Sequence, residues 1–212
     1  KIGQYIRKFA EKKEHRNRVL RVRYSPSKPV ESRCAYETRD PAGYDADNGL
    51  QIIVSESRRN PKSYLVYHKT NNYLENRIAL KKAKKRGYDD ALFLNTAGDL
   101  AETTKANIFL VKDDKILTPA VESGILPGIV RAWTIRQAIR NDIPALQLYI
   151  DPEELSQAHE VFVTNSVLGI CRVGRIDMGG RTLFSSPRET PITQLLSDIY
   201  QRESNYNQRP KE

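Results

Sequence analysis

Cysteine is almost missing from this chain: only Cys34 and Cys171 occur among its 212 residues, far apart and in no C-x-x-C pair. That excludes a disulfide framework and a thiolate zinc site, and it fits a reducing compartment, so a cytoplasmic protein is expected. Histidine is scarce as well. His15, His68 and His159 show no zinc-ligand spacing, and no metal is expected. No apolar run approaches the roughly 20 residues of a membrane span, and no signal-peptide pattern leads the chain. Internal repeats and low-complexity segments are also lacking.

Acidic residues are outnumbered by basic ones, 26 against 35, which leaves a net charge of +9. Such a balance raises the question of an acidic or nucleic-acid partner. The runs Lys81 to Arg86 and Arg16 to Arg23 are the places where it would bind. Both fall inside amphipathic patterns, and neither is interleaved with stacking aromatics or a nucleic-acid motif, so they read as solvated faces. At this length the chain buries one sizeable core or two small ones, since domains commonly hold about 100–150 residues.

Taken in order, Ile2, Tyr5, Ile6 and Phe9 form a helical stripe, and Val19 to Tyr24 alternates as a half-buried strand does. Prolines and Gly43 break up the following stretch before a short strand at Gln51 to Val54. Tyr64 to Lys69 reads as an apolar strand that ends at a lysine. Asn72, with Glu75 three residues on, gives an N-cap signature for a helix running to Gly87 as its C′ residue. Asp90 to Leu94 is a buried strand, and Asn107 to Thr118 a hairpin with a charged turn. A helix follows Gly128, with apolar positions Ile129, Trp133, Ile135 and Ile139, and ends before Pro144. Strands are then expected at Leu146 to Ile150 and Glu160 to Thr164, with an Asp151-Pro152 helix start between them.

Two features carry chemistry. Glu102 is a lone carboxylate beside the hairpin, and Pro127-Gly128 opens directly into a helix whose first N–H groups suit an anion such as phosphate. The residues alone say no more than that a phosphate-bearing ligand fits.

The pattern E-x-x-x-x-N-I-F-x-V, then T-P, then G-I-L-x-G-I-x-R resembles the fold-type IV pyridoxal-phosphate (PLP) enzymes, the class IV aminotransferase family. The resemblance extends roughly from Lys69 to Val173. It implies a two-domain α+β or α/β fold: a partial small N-terminal domain over residues 1–88 and a larger PLP-binding domain over 89–212. Because family members are longer, part of the N-terminal domain is expected to be missing, including an arginine that contacts the phosphate. The resemblance also implies a homodimer.

By resemblance, Lys69 in K-T-N-N-Y-L-E-N forms the imine link to the cofactor aldehyde and then shuttles protons. That role needs a neutral amine, which burial and nearby positive charge favour. Glu102 would pair with the pyridine nitrogen and keep it protonated. The phosphate would rest on the N–H groups of Ile129 and Val130 after Gly128, with Asn165 and Ser166 closing from the other side and Leu126 against a ring face. Tyr73, Thr104 and Arg172 are candidates for contact with substrate. Aminotransferases of the group often carry T-S-x-x-x-E-I-x-P-V after the last core strand. Here Thr164 to Val173 lacks both the Glu and the Pro. The N-S-x-x-G pattern is closer to 4-amino-4-deoxychorismate lyases, which eliminate pyruvate to give 4-aminobenzoate for folate synthesis. A branched-chain or D-amino-acid aminotransferase is the alternative. A non-catalytic relative kept for interactions would show itself as colourless protein without cofactor.

Overall fold

The computed structural model describes Val19–Tyr24, Cys34–Arg39 and residues 48–206, with side chains from 48 to 204. Strands β1 (Val19–Tyr24) and β2 (Cys34–Arg39) pair antiparallel, Val19 opposite Arg39, and belong to a unit of their own ending at Gly43. The helix expected at Ile2 to Phe9 lies outside the described residues.

The second unit, Tyr44–Glu212, is built on one sheet of nine strands. Its members are β3 (Leu50–Arg59), β4 (Asp90–Asn95), β5 (Leu100–Thr103), β6 (Asn107–Lys112), β7 (Lys115–Pro119), β8 (Ala145–Leu148), β9 (Glu160–Asn165), β10 (Gly169–Met178) and β11 (Arg181–Ser185). Because β9 pairs with both β6 and β10, while β3, β4 and β5 connect β10 to β6, six strands close into a ring. A closed ring has no free edge. β7 and β8 extend it beside β6, and β11 beside β10. The division expected between residues 88 and 89 falls within this unit, where β3 on one side of it is hydrogen-bonded to β4 on the other.

Alternation along the strands explains why they read as continuous apolar runs. Leu92 and Leu94 of β4, Ile108 and Leu110 of β6, and Val161 and Val163 of β9 pack together in one core with Leu50, Ile52 and Ile176. The intervening residues face helices. Ala91 and Phe93 meet Ala79 and Ala83 of helix α1 (Leu74–Lys85). Phe109 and Phe162 stack with ring centroids 4.9 Å apart, in the cluster that takes Ala138 of α2 (Ile129–Arg140) and Leu196 of α3 (Pro191–Tyr206).

Three local expectations are corrected. Tyr64 to Tyr67 is a turn of 3₁₀ helix, not a strand: Ser63 accepts from Leu65 N–H, Tyr67 O–H reaches Pro61 O at 2.6 Å, and Tyr64 and Leu65 stay exposed. With Pro61 starting the turn and no neighbouring strand bonded to it, a short apolar run curls locally. Helix α1 is N-capped by Tyr73, not Asn72, and without a side-chain cap, and Glu75 is turned to Arg59. Helix α2 buries Val130, Arg131, Thr134, Gln137 and Ala138, while Ile129 and Ile139 are exposed. A stripe assigned by apolarity alone missed a buried face that is partly polar.

Candidate active site

Glu102 lies on β5 with its side chain only 10% exposed. Burial pushes its carboxyl up to about 7, against the opposing pull of Arg59, the Leu126 N–H and Lys69. Its Oε2 accepts from Leu126 N–H at 3.1 Å and from Asn107 Nδ2 at 3.4 Å, and its Oε1 is 3.5 Å from Arg59 Nη2. Arg59, the last residue of β3, is itself buried and lies over the Phe93 ring at 4.2 Å, with Nη1 bonded to Glu75 of α1 at 3.0 Å. Its Nε is buried without a partner.

Asn107 starts β6 directly opposite Glu102 in the β5–β6 pairing. The same Nδ2 donates to Leu126 O at 2.8 Å, so one side chain ties the carboxylate to the loop that enters α2. Gly128, the N-cap of α2, leaves no room there: a Cβ would lie 2.2 Å from Asn107 Oδ1. No side chain caps α2, and its first intrahelical bond is from Ala132 N–H to Gly128 O. The N–H groups of Ile129 and Val130 are therefore among those that a helix start cannot satisfy internally. They face outward with the positive end of the helix dipole.

The β9–β10 turn is locked by Asn165. Its Oδ1 accepts from Val167 and Leu168 N–H, both at 2.8 Å, and its Nδ2 donates to Lys105 O at 3.2 Å, which joins the turn to the segment after Glu102. Ser166 is exposed at its tip. Gly169 has φ +68°, and a Cβ there would meet the Tyr200 ring of α3 at 2.8 Å.

Lys69 is exposed, not buried as its expected role suggested, and its amine donates to Tyr73 O–H at 2.9 Å. Its charge is the smallest of the pulls that favour the ionised form of Glu102. Thr104, expected to line the site, is buried with its hydroxyl 2.5 Å from Asp90 Oδ1. Burial raises the Asp90 carboxyl, while Asn76 of α1 donates to Thr104 O at 2.7 Å. Arg172 is spoken for elsewhere: its guanidinium donates to Ser186 Oγ at 3.0 Å and Pro187 O at 2.8 Å, on the loop before α3.

The amino-transferase class IV family profile matches residues 1–176. The chain belongs to that family. It is 32% identical to branched-chain-amino-acid aminotransferase-like protein 2 of Arabidopsis thaliana over 165 residues, 76% of this chain and 28% of that protein. It is also 32% identical to the aminodeoxychorismate lyase of Vibrio harveyi over 138 residues, 64% of this chain and 51% of that one. The branched-chain amino acid aminotransferase of Thermobaculum terrenum, solved in its PLP form, superposes with a TM-score of 0.70 at 28% identity, covering 91% of this chain and 64% of that one. The chain thus spans less than two thirds of the length of each.

Class IV aminotransferases are PLP-dependent, and the donor set fits that cofactor. A buried carboxylate suits a protonated ring nitrogen, an uncapped helix start suits a phosphate, and a lysine within reach of the same field suits an aldehyde. Sequence reasoning missed Arg59, Glu75 and Asn107. Asn107 was signalled, since it sits five residues after Glu102 across a tight β turn. Arg59 was hidden because β3 runs five residues past the strand expected at Gln51 to Val54.

Among the described residues no group of three or more His, Cys, Asp or Glu side chains stands together to hold a metal ion, and no helix is long and apolar enough to cross a membrane.

Glu102 gives a pH signature. Its folded value is raised, so the folded state holds a proton that the unfolded chain has released between pH 4.5 and about 7. Stability is full below that window and falls as pH rises through it, by about 3 kcal/mol if the whole shift is expressed. Glu102→Gln should flatten this part of the stability–pH curve, measured by urea unfolding of cofactor-free protein from pH 5 to pH 8. A slope unchanged by the substitution would mean that other groups cause it.

Proposed function

We propose that the complete protein is a PLP-dependent 4-amino-4-deoxychorismate lyase, releasing pyruvate and forming 4-aminobenzoate. The bound cofactor supplies an aldehyde and an electron-withdrawing ring. Lys69 would hold that aldehyde, and its amine, once the substrate amine has displaced it, would serve as the base for the substrate α-proton and as the acid toward the departing enolpyruvyl fragment. Glu102 holds the proton of the ring nitrogen, and Asn107 and the Leu126 N–H orient that carboxylate. Ile129 and Val130 N–H groups bind the phosphate, with Asn165 and Ser166 opposite and Leu126 against the ring. Val130 has no hydroxyl, so its contact is through the backbone N–H alone. Tyr73 orients the lysine. Two copies are proposed to assemble as a homodimer.

The observation that carries the lyase reading is the β9–β10 turn. Asn165 and the positive-φ Gly169 close it as N-S-x-x-G, and the strand that leaves it has Arg172 where the aminotransferase pattern has proline. A branched-chain or D-amino-acid aminotransferase is the second reading, favoured by the similarity to aminotransferases of both the plant and bacterial relatives. Side-by-side assays decide. Release of 4-aminobenzoate and pyruvate from aminodeoxychorismate without any keto acid supports the lyase, whereas amino-group exchange between amino and keto acids with no 4-aminobenzoate supports the aminotransferase.

A further inference from the structure

Arg59 serves two carboxylates at once. Nη1 meets Glu75 at 3.0 Å and Nη2 faces Glu102 at the longer 3.5 Å, so the guanidinium fork is split instead of closing on either partner with both nitrogens. A fork that closes on one carboxylate makes the stronger, two-bond pair. The cation has little freedom to leave, since its side chain is 7% exposed and lies over Phe93. Glu75 sits on the first turn of α1 with its side chain 46% exposed, and it draws on a buried cation.

We propose that Glu75 is a positioning residue that competes with Glu102 for Arg59 and thereby sets how readily the Glu102 carboxylate accepts a proton. The inference rests on the reading of Glu102 as the partner of the cofactor's ring nitrogen. The groups that face Glu102 are Arg59 from the end of β3, Lys69 from the segment before α1, Asn107 from β6 and the Leu126 N–H from the loop into α2. Glu75 bonds to Arg59 and not to Glu102 itself. Removing the Glu75 charge turns the whole field of Arg59 onto Glu102 and takes away a like charge behind it. Both changes favour the ionised form of Glu102.

The test is a carbon-13 NMR titration of cofactor-free protein labelled at the glutamate carboxyl, with the Glu102 signal assigned by its loss in Glu102→Gln. In Glu75→Gln the Glu102 midpoint should move down by about one pH unit from the wild-type value. Glu75→Asp, which keeps the charge, should stay closer to wild type than Glu75→Gln. An unchanged midpoint, or one that moves up because Glu75 only orients Arg59, would overturn the proposal. No cofactor enters this titration. Protein that fails to bind PLP would therefore sink the functional reading, and bound PLP with an unmoved midpoint would sink only the coupling through Arg59.

Discussion

Lys69→Ala is expected to lower turnover by about a thousandfold or more, because one substitution removes the group proposed as both nucleophile and proton carrier. Neither job passes easily to a neighbour. The Lys69 amine donates to Tyr73 O–H at 2.9 Å, and Tyr73 offers a hydroxyl but no amine to take its place. Glu102, the α2 start and the β9–β10 turn, the other groups proposed to hold the cofactor, are not hydrogen-bonded to Lys69, whose amine donates to Tyr73 O–H. PLP should still bind, without covalent attachment. Tyr73→Phe should be far milder, a loss of about two- to tenfold, as expected for one orienting hydrogen bond. Turnover in Lys69→Ala within tenfold of wild type, measured under single-turnover conditions, would assign the proton transfers to another residue.

Gly128→Ala is expected to have the second-largest effect. The backbone is not the reason, since φ −68° and ψ 143° suit any residue. Space is: the new methyl would lie 2.2 Å from Asn107 Oδ1 and 3.5 Å from Arg131 Cβ. Asn107 cannot step aside without releasing Leu126 O and the second donor to Glu102 Oε2. One methyl should therefore cost about 1–3 kcal/mol of stability by overpacking. It should also weaken PLP binding by about 10- to 100-fold, through a displaced loop between ring and phosphate contacts. Calorimetric titration with PLP and urea unfolding measure the two effects. A double-mutant cycle isolates the cause: in an Asn107→Ala background the clashing atom is gone, and Gly128→Ala should then cost less by about 1–2 kcal/mol. Strict additivity would place the strain elsewhere.

Much of this site was legible in the chain because its parts are local. Glu102, the hairpin and the Gly128 helix start occur within thirty residues of each other, and turn chemistry marks each of them: Asp113 and Asp114 both adopt positive φ in the hairpin turn. Strands β4, β6 and β9 were readable from their apolar runs, since both their faces are buried. Long-range partnerships were not. Nothing near Arg59 announces that β3 will lie beside β4 and deliver a guanidinium to a glutamate forty-three residues on. Likewise nothing near Arg172 shows that the Ser186–Pro187 loop will occupy it. The buried Thr104–Asp90 bond has the same character, two polar residues fourteen apart joined by a strand pairing. The misread stretch at Tyr64 to Lys69 failed for a different reason. A short apolar run is compatible with a strand, but a strand needs a neighbour, and here Ser63 and Pro61 supply local acceptors instead.

Lys69 is proposed to carry the cofactor while Glu102 and the start of α2 hold its two ends. Borohydride reduction of the protein incubated with PLP, followed by peptide mapping, tests it most directly. One pyridoxyl group per chain is expected, on Lys69, with labelling strongly reduced in Glu102→Ala. Label spread over the exposed lysines of α1, or none at all, would contradict it.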